Sequence, residues 1–312
     1  YISTFALTFV GVERFRRWSL KKQIIDIPND RSSHTQPTPR GGGLVIFFVC
    51  LAVFSVYCLL FDVFELYWAY FIGALIIGGI SWIDDLLTIS VIWRFLVHIL
   101  AAFLVIYSFG FWEIVYIPFW GEIVFGKFGY LLTFLWIVWL INAYNFMDGI
   151  DGIAGGQAVS AGIGWLLVGL YLNIDDIGFY GAILAISSSG FLLHNWQPAK
   201  IFMGDIGSAF LGFTFAILPL MALKTASKTD VSVLPLMAVI LVATFVFDSL
   251  WTFVKRLSRF EKVWKAHREH IYQELVIKGF SHSKVTIIYF GISVLSLVCL
   301  FVLLQNRQKI GD

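Results

Sequence analysis

Apolar runs long enough to cross a bilayer recur along this whole chain, and no other feature narrows the choice of folds as far. A bilayer core about 30 Å thick takes roughly 20 apolar residues per helix. Inside it every backbone N–H and C=O must find a partner, which leaves only helices or a closed barrel. The runs are continuous rather than alternating, so helices are predicted. Ten can be placed, at 1–12, 44–61, 66–83, 93–110, 129–145, 157–173, 178–194, 207–223, 233–254 and 285–304. Composition agrees: 59% of the 312 residues are hydrophobic and 13% charged. The mean hydropathy of +0.84 lies outside the range of water-soluble domains. The expected fold class is an all-α polytopic membrane protein with about ten transmembrane helices, read as a single integral membrane domain over 1–312. The run at 1–12 is too short to span by itself, and because the chain starts at Tyr1 rather than Met, residues upstream of it are expected. No cleavable signal peptide is evident. Cys50, Cys58 and Cys299 fall in apolar runs without metal or disulfide spacing and read as apolar filler.

The net charge of +2 says little, because in a membrane protein the placement of Lys and Arg carries the information. With ten spans, the segments 13–43, 84–94, 142–156, 195–206 and 255–284 share one side and hold 17 of the 22 Lys and Arg. Lys127, Lys224, Lys228, Arg307 and Lys309 lie opposite. The positive-inside rule puts the first group in the cytoplasm, with both termini outside. Between the fourth and fifth runs, FWEIVYIPFWGEIVFGKFG is aromatic and partly alternating, with Pro118 and Gly121 as turn formers, so a short outer β-hairpin is expected.

The polar residues gather on the predicted inner face. DIPNDRSSHTQPTPRGGG (26–43) follows the first run, Asp84 and Asp85 end the third, and NAYNFMDGIDGIAGG (142–156) ends the fifth and opens the sixth. NWQPAKIFMGDIGS (195–208) joins the seventh and eighth, and KAHREHIYQ (265–273) follows the ninth. A carboxylate at a helix centre costs about 2.5–3.5 kcal/mol on insertion scales, so acids at span ends tend to be solvated, paired or used on a ligand. Taken singly, each Asp reads as a wet helix end. Asp84, Asp85, Asp148, Asp151 and Asp205 together read differently, because neighbouring carboxylates repel and a hard divalent cation relieves the repulsion. Mg2+ bound by one or two carboxylates plus substrate phosphates is the usual arrangement.

Gly149, Gly152, Gly155 and Gly156 would let backbone N–H groups approach such a ligand. For Gly162, Gly164 and Gly169, deep in a run, close helix packing is the better reading. No P-loop or dinucleotide fingerprint is present. Arg31, Arg40, Lys200 and Arg268, with His34, His267 and His270, are expected to face an anion held by the metal. Lys21, Lys22, Lys255 and Arg256 read as topological anchors. His267 and His270 lack a third soft ligand, which argues against zinc. His98, inside a span, reads as a hydrogen-bonded interhelical histidine, and Asp248 is a further site candidate.

Five of these segments in register, DIPNDRSSHTQPTPRGGG, SWIDDL, NAYNFMDGIDGIAGG, FMGDIGSAFLG and AHREHIYQ, resemble the polyprenyl-phosphate N-acetylhexosamine-1-phosphate transferases of glycosyltransferase family 4. The resemblance covers nearly the whole chain. It implies transfer of a sugar 1-phosphate from a UDP-sugar to undecaprenyl phosphate at the cytoplasmic face of a bacterial inner membrane, releasing UMP. Mg2+ would be the cofactor, with Mn2+ as a substitute. Asp205, with Asp84, would ligate the metal, and Asp84 and Asp85 would lie by the lipid phosphate. Asn145, Asp148 and Asp151 would line the nucleotide and catalytic region, and His267, Arg268 and His270 would sit over the sugar diphosphate. The expected catalytic group is therefore Asp84, Asp85, Asp148, Asp151, His267 and His270, and the expected substrate contacts are Arg40, Asn142, Asn145, Lys200 and Arg268.

HREHIYQ lacks the consecutive histidines of the related phospho-N-acetylmuramoyl-pentapeptide transferases, which favours the O-antigen or capsule branch. The expected donor is then a UDP-N-acetylhexosamine, GlcNAc or a 6-deoxy relative, reacting by direct displacement rather than through a phospho-aspartate. Membrane lipid is the surrounding partner, no nucleic acid is expected, and a homodimer is left open. The pentapeptide branch is the nearest rival. A secondary transporter would place its acids near the bilayer midplane and show symmetric halves, neither of which is seen.

Overall fold

The computed structural model describes residues 1–28, 33, 35–87, 89–227, 231–262 and 267–311, with side chains to 305. Arg31 and His34 lie outside the described residues. The elements, in order, are α1 (Ile2–Lys21), β1 (Ile25–Asp26), β2 (Thr38–Pro39), α2 (Gly43–Leu60), α3 (Phe64–Leu87) and α4 (Val91–Phe109). There follow β3 (Ile114–Ile117), β4 (Gly121–Val124), α5 (Phe128–Phe146), α6 (Ile153–Leu172), α7 (Asp175–Asn195) and α8 (Asp205–Ala222). The chain ends with α9 (Leu234–Leu241), α10 (Ala243–Ser258), α11 (Ile271–Ile277) and α12 (His282–Gly311).

Among the described residues eight helices are long and apolar enough to cross a membrane, and a bent pair, 231–241 with α10, makes a ninth. This is an all-α, multi-pass membrane protein. The remaining predicted run, the first, lies in α1, whose 20 residues reach well past the apolar stretch at 1–12. Its charged end is knitted internally: Glu13 takes Arg16 at 2.8 Å and Arg17 at 2.7 Å, the i,i+3 and i,i+4 spacings that meet on one helix face.

At the centre stands α8, 94% buried across its apolar window and packed against α2, α3 and α5. Close approach there depends on missing side chains. A Cβ on Gly43 would fall 2.3 Å from the Cα of Gly207, so the starts of α2 and α8 touch backbone to backbone. The α6–α7 pair uses the same device, with a Cβ on Gly169 falling 2.4 Å from the Cα of Gly178.

The ninth span is broken. It bends by 72° between α9 and α10, at Val242, and neither Pro nor Gly marks the break. The carbonyl freed at Leu241 accepts from Gln157 Nε2 at 2.8 Å, and Gln157 Oε1 accepts from Thr244 at 2.7 Å and Ser293 at 2.9 Å. Within a membrane such an interruption persists only where other groups take up the released backbone. The redirected α10 buries Asp248, Ser249, Thr252 and Arg256 and leaves Phe247, Trp251 and Val254 exposed, an inside-out pattern suited to lipid.

The expected hairpin is present: β3 pairs antiparallel with β4, turning through Phe119 and Trp120. A second, two-residue ladder was not expected. Ile25 pairs with Pro39 and Asp26 with Thr38, which ties the segment after α1 to the one before α2.

Candidate active site

The segment NAYNFMDGIDGIAGG is a tied-down turn between α5 and α6. The Tyr272 hydroxyl donates to the Phe146 carbonyl at 2.9 Å and lies over Gly149, where a Cβ would come within 2.1 Å of it. Gly152 turns the chain at φ 80°, which favours glycine, and its N–H donates to Asn195 Oδ1 at 2.9 Å. Asp151 accepts from the Ala199 N–H at 3.1 Å and has His282 Nδ1 3.3 Å from its other oxygen. Asp148 accepts no hydrogen bond among the described residues. Burial, then the charges of Asp205, Asp85 and Asp151, push its carboxyl well above the usual range.

The acids at the end of α3 meet the start of α8. Asp85 accepts from the backbone N–H groups of Asp205 and Ile206, each at 3.1 Å, and so caps α8 from another helix. Gly204, at φ 79°, makes room, since a Cβ there would sit 2.9 Å from Asp85 Oδ2. Asp84 accepts from the Ile89 N–H at 2.7 Å and from Arg94 at 2.5 Å. The same Arg94 nitrogen lies 2.6 Å from Asp205 Oδ2, so one guanidinium bridges two carboxylates. Arg40 donates to the Asp85 carbonyl.

Two cavities adjoin here. A polar one of about 300 Å³ is lined by Asp26, Arg40, Asp85, Asp148, Asp151, Asp205 and His282 among others. An apolar one of about 1200 Å³ runs from Arg94, His267 and His270 at the basic end to Trp112, Ile117 and Phe125 beside the hairpin. Asn145 and Gln273 line both.

The last loop is held over this junction by charge. Arg256, buried, pairs with Glu269 and, at 3.0 Å, with Glu261, while Lys255 reaches Glu274 at 2.5 Å. The His267 and His270 rings lie tilted against each other, centroids 5.0 Å apart. Burial, then the neighbouring His270, hold the His267 imidazole down at about 4. Fully buried Asp248 collects His270 Nδ1 at 3.1 Å, the N–H groups of Ile271 and Tyr272, and the Tyr289 hydroxyl.

The profile of glycosyl transferase family 4 matches residues 67–223, the stretch that holds Asp84, Asp85, Asp148, Asp151 and Asp205. A probable undecaprenyl-phosphate N-acetylglucosaminyl 1-phosphate transferase of Bacillus subtilis is 31% identical over 95% of this chain and 86% of its own. The chain belongs to glycosyl transferase family 4. A Salmonella typhi undecaprenyl-phosphate alpha-N-acetylglucosaminyl 1-phosphate transferase is 30% identical over 90% of this chain and 76% of its own. A phospho-N-acetylmuramoyl-pentapeptide-transferase of Listeria welshimeri is 27% identical over 95% and 96%.

In this family 4 transferase, Arg40, Asp85, Asn145, Asp148, Asp151 and Asp205 share the polar cavity, and His267 and His270 face the apolar one. Asp84 stands just behind, held by Arg94. Asn142 lies one turn deeper in α5, in the apolar cavity, donating to the Val138 carbonyl at 2.7 Å and to His98 Nδ1 at 3.3 Å. That contact satisfies one side of His98, while its Nε2 is buried with no partner among the described residues. Lys200 is exposed and lines neither cavity, and Arg268 is half-buried in the last loop. Lys255 and Arg256, expected as anchors, are the loop's ion-pair partners.

Arg94, His282 and Gln273 were given no site role from the sequence. An inner-loop arginine is already explained by topology, and His282 sits in the bland stretch SHSK. Magnesium is the group the resemblance implies. The acids Asp84, Asp148 and Asp205, with no thiol nearby, match a hard cation, and Asp148 has both oxygens free of hydrogen bonds among the described residues. As placed, the cation between Asp84 and Asp205 is Arg94, and no three acidic, His or Cys side chains among the described residues converge as ligands. By donor chemistry the residues fit the ion, with Arg94 as its competitor.

Proposed function

We propose that this transferase moves N-acetylhexosamine 1-phosphate, GlcNAc first among the candidates, from a UDP-sugar to a polyprenyl phosphate. The observation that carries the reading is the meeting of an acid-lined cavity and a long apolar one at Asn145 and Gln273. A lipid with a phosphate head needs both. Its isoprenoid chain lies along the apolar cavity, its phosphate reaches the junction, and the nucleotide sugar enters the polar side. A phosphate oxygen of the lipid attacks the sugar-linked phosphorus, the bond to the UMP phosphate breaks, and the lipid diphosphate sugar remains.

This step gathers like charges, so positioning and electrostatic stabilisation supply most of the catalysis. Asp148 and Asp205, with Asp84 once Arg94 turns away, would hold magnesium, which supplies charge neutralisation on the diphosphate. Arg94, released, faces the lipid phosphate, and Arg40 the nucleotide. Asp151, already tied to Ala199 and His282, keeps the turn in place. His267 and His270 close the site from the last loop. The names of the Bacillus and Salmonella relatives support the GlcNAc donor and undecaprenyl acceptor. The concentration of Lys and Arg at the site's end of the bundle supports a cytoplasmic site in a bacterial plasma membrane, in a pathway that builds O-antigen or a related envelope polysaccharide.

The test is incubation of purified protein with undecaprenyl phosphate, Mg2+ and a panel of UDP-sugars, with the lipid product read by mass spectrometry. A lipid diphosphate N-acetylhexosamine with matching UMP release is expected. Product only from the UDP-muramoyl pentapeptide would move the protein to the rival branch.

A further inference from the structure

Asp248 is fully buried in α10 and lines neither cavity. An acid inside a membrane bundle is costly and marks a function by default. Its two oxygens collect five donors from three parts of the chain. On Oδ1 these are His270 Nδ1 at 3.1 Å, the Ile271 N–H at 2.9 Å and the Thr252 hydroxyl at 3.3 Å. On Oδ2 they are the Tyr272 N–H at 3.1 Å and the Tyr289 hydroxyl at 2.5 Å. A carboxylate in that company is an acceptor only, so the proton between Asp248 and His270 belongs to Nδ1. In the neutral ring that leaves Nε2 as the lone-pair nitrogen. His270 lines the apolar cavity beside Gln273, which faces both cavities.

We propose that Asp248 is the positioning residue of the site. It fixes the ring of His270 in the Nδ1–H tautomer and aims Nε2 at the cavity junction, while holding the first turn of α11 under it. The proposal rests on the reading above for what His270 acts upon, but the tautomer and orientation do not depend on the substrate. The arrangement is that of a carboxylate orienting a functional imidazole from behind, where the carboxylate sets which nitrogen is free. An Asn in place of Asp248 would keep one acceptor oxygen, turn an NH2 toward groups that themselves donate, and release the ring.

The first measurement uses the unaltered protein: 15N spectra of histidine-labelled enzyme in detergent, with the His270 signals assigned by their loss in His270→Gln. In the neutral ring a protonated Nδ1 and an unprotonated Nε2 are expected, and the reverse tautomer overturns the proposal. The second is a double-mutant cycle. Asp248→Asn is expected to lower kcat by about ten- to a hundred-fold with KM for the UDP-sugar nearly unchanged. In a His270→Gln background the same change is expected to cost less than about twofold, because Asp248 acts through His270. Equal losses in both backgrounds would overturn it, since a merely structural role does not depend on the imidazole. Should the wild-type enzyme turn over no UDP-sugar, the proposed function falls, and the tautomer still decides this inference. If Asp248→Asn does not fold, the spectrum of the unaltered protein stands alone.

Discussion

Asp148 has its carboxyl pushed upward by burial and by Asp205, Asp85 and Asp151, and only the ionised form can ligate a metal. If Asp148 holds the ion as proposed, protons and Mg2+ compete for it. Turnover should fall as pH drops through the raised value, and more Mg2+ should move that acid limb to lower pH. A limb that ignores the Mg2+ concentration would contradict the assignment. His267, held at about 4, is neutral throughout the working range, so His267→Gln should leave the limb in place. Arg94 makes a different prediction. Its removal in Arg94→Gln leaves Asp84 and Asp205 facing each other unpaired, at a cost of about 1–3 kcal/mol in the metal-free protein. Mg2+ should raise the melting temperature of the variant more than that of the wild type, where it must first displace the guanidinium. Equal shifts would show that Arg94 and the metal do not compete. The acids were legible in the sequence because a carboxylate in so apolar a chain needs a reason. Arg94 was not, because the positive-inside rule already explained it, and His282 was not, because only the fold brings it to within 3.3 Å of Asp151.

The helices themselves were nearly all legible, since twenty apolar residues leave lipid-exposed backbone no alternative to a helix. The break at Val242 was not. Kinks are usually marked by Pro or Gly, whereas here the cause is Gln157, which lies 84 residues away from the Leu241 carbonyl it satisfies. Nor could the sequence show that Asp85 caps α8, a bond between residues 120 positions apart. That contact ties the site to the packing beneath it, because Gly43 and Gly207 let α2 and α8 meet where α8 begins. Gly43→Ala should push these starts apart and destabilise the protein by about 1–3 kcal/mol. A drop in melting temperature together with weakened activity is expected, and an unchanged melting temperature would deny the close approach.

Over the whole molecule, the alternation of spans carries the basic loops and the polar cavity to one end and the hairpin to the other. Cysteines placed at exposed Lys127 and Lys278 should therefore label from opposite sides of sealed vesicles, Lys278→Cys from the cytoplasmic side only. The gathering of distant loops was foreseeable as a pattern, because five polar segments on alternate span ends have little else to converge on. The shape of the apolar cavity was not, since it depends on where α10 turns. Everything turns on acids from the α5–α6 turn and the start of α8 sharing one divalent ion, and binding of Mn2+ followed by electron paramagnetic resonance tests this most directly. One Mn2+ per chain, displaced by Mg2+ and lost in both Asp148→Asn and Asp205→Asn, is the predicted result. Binding that is undiminished in both variants would contradict it.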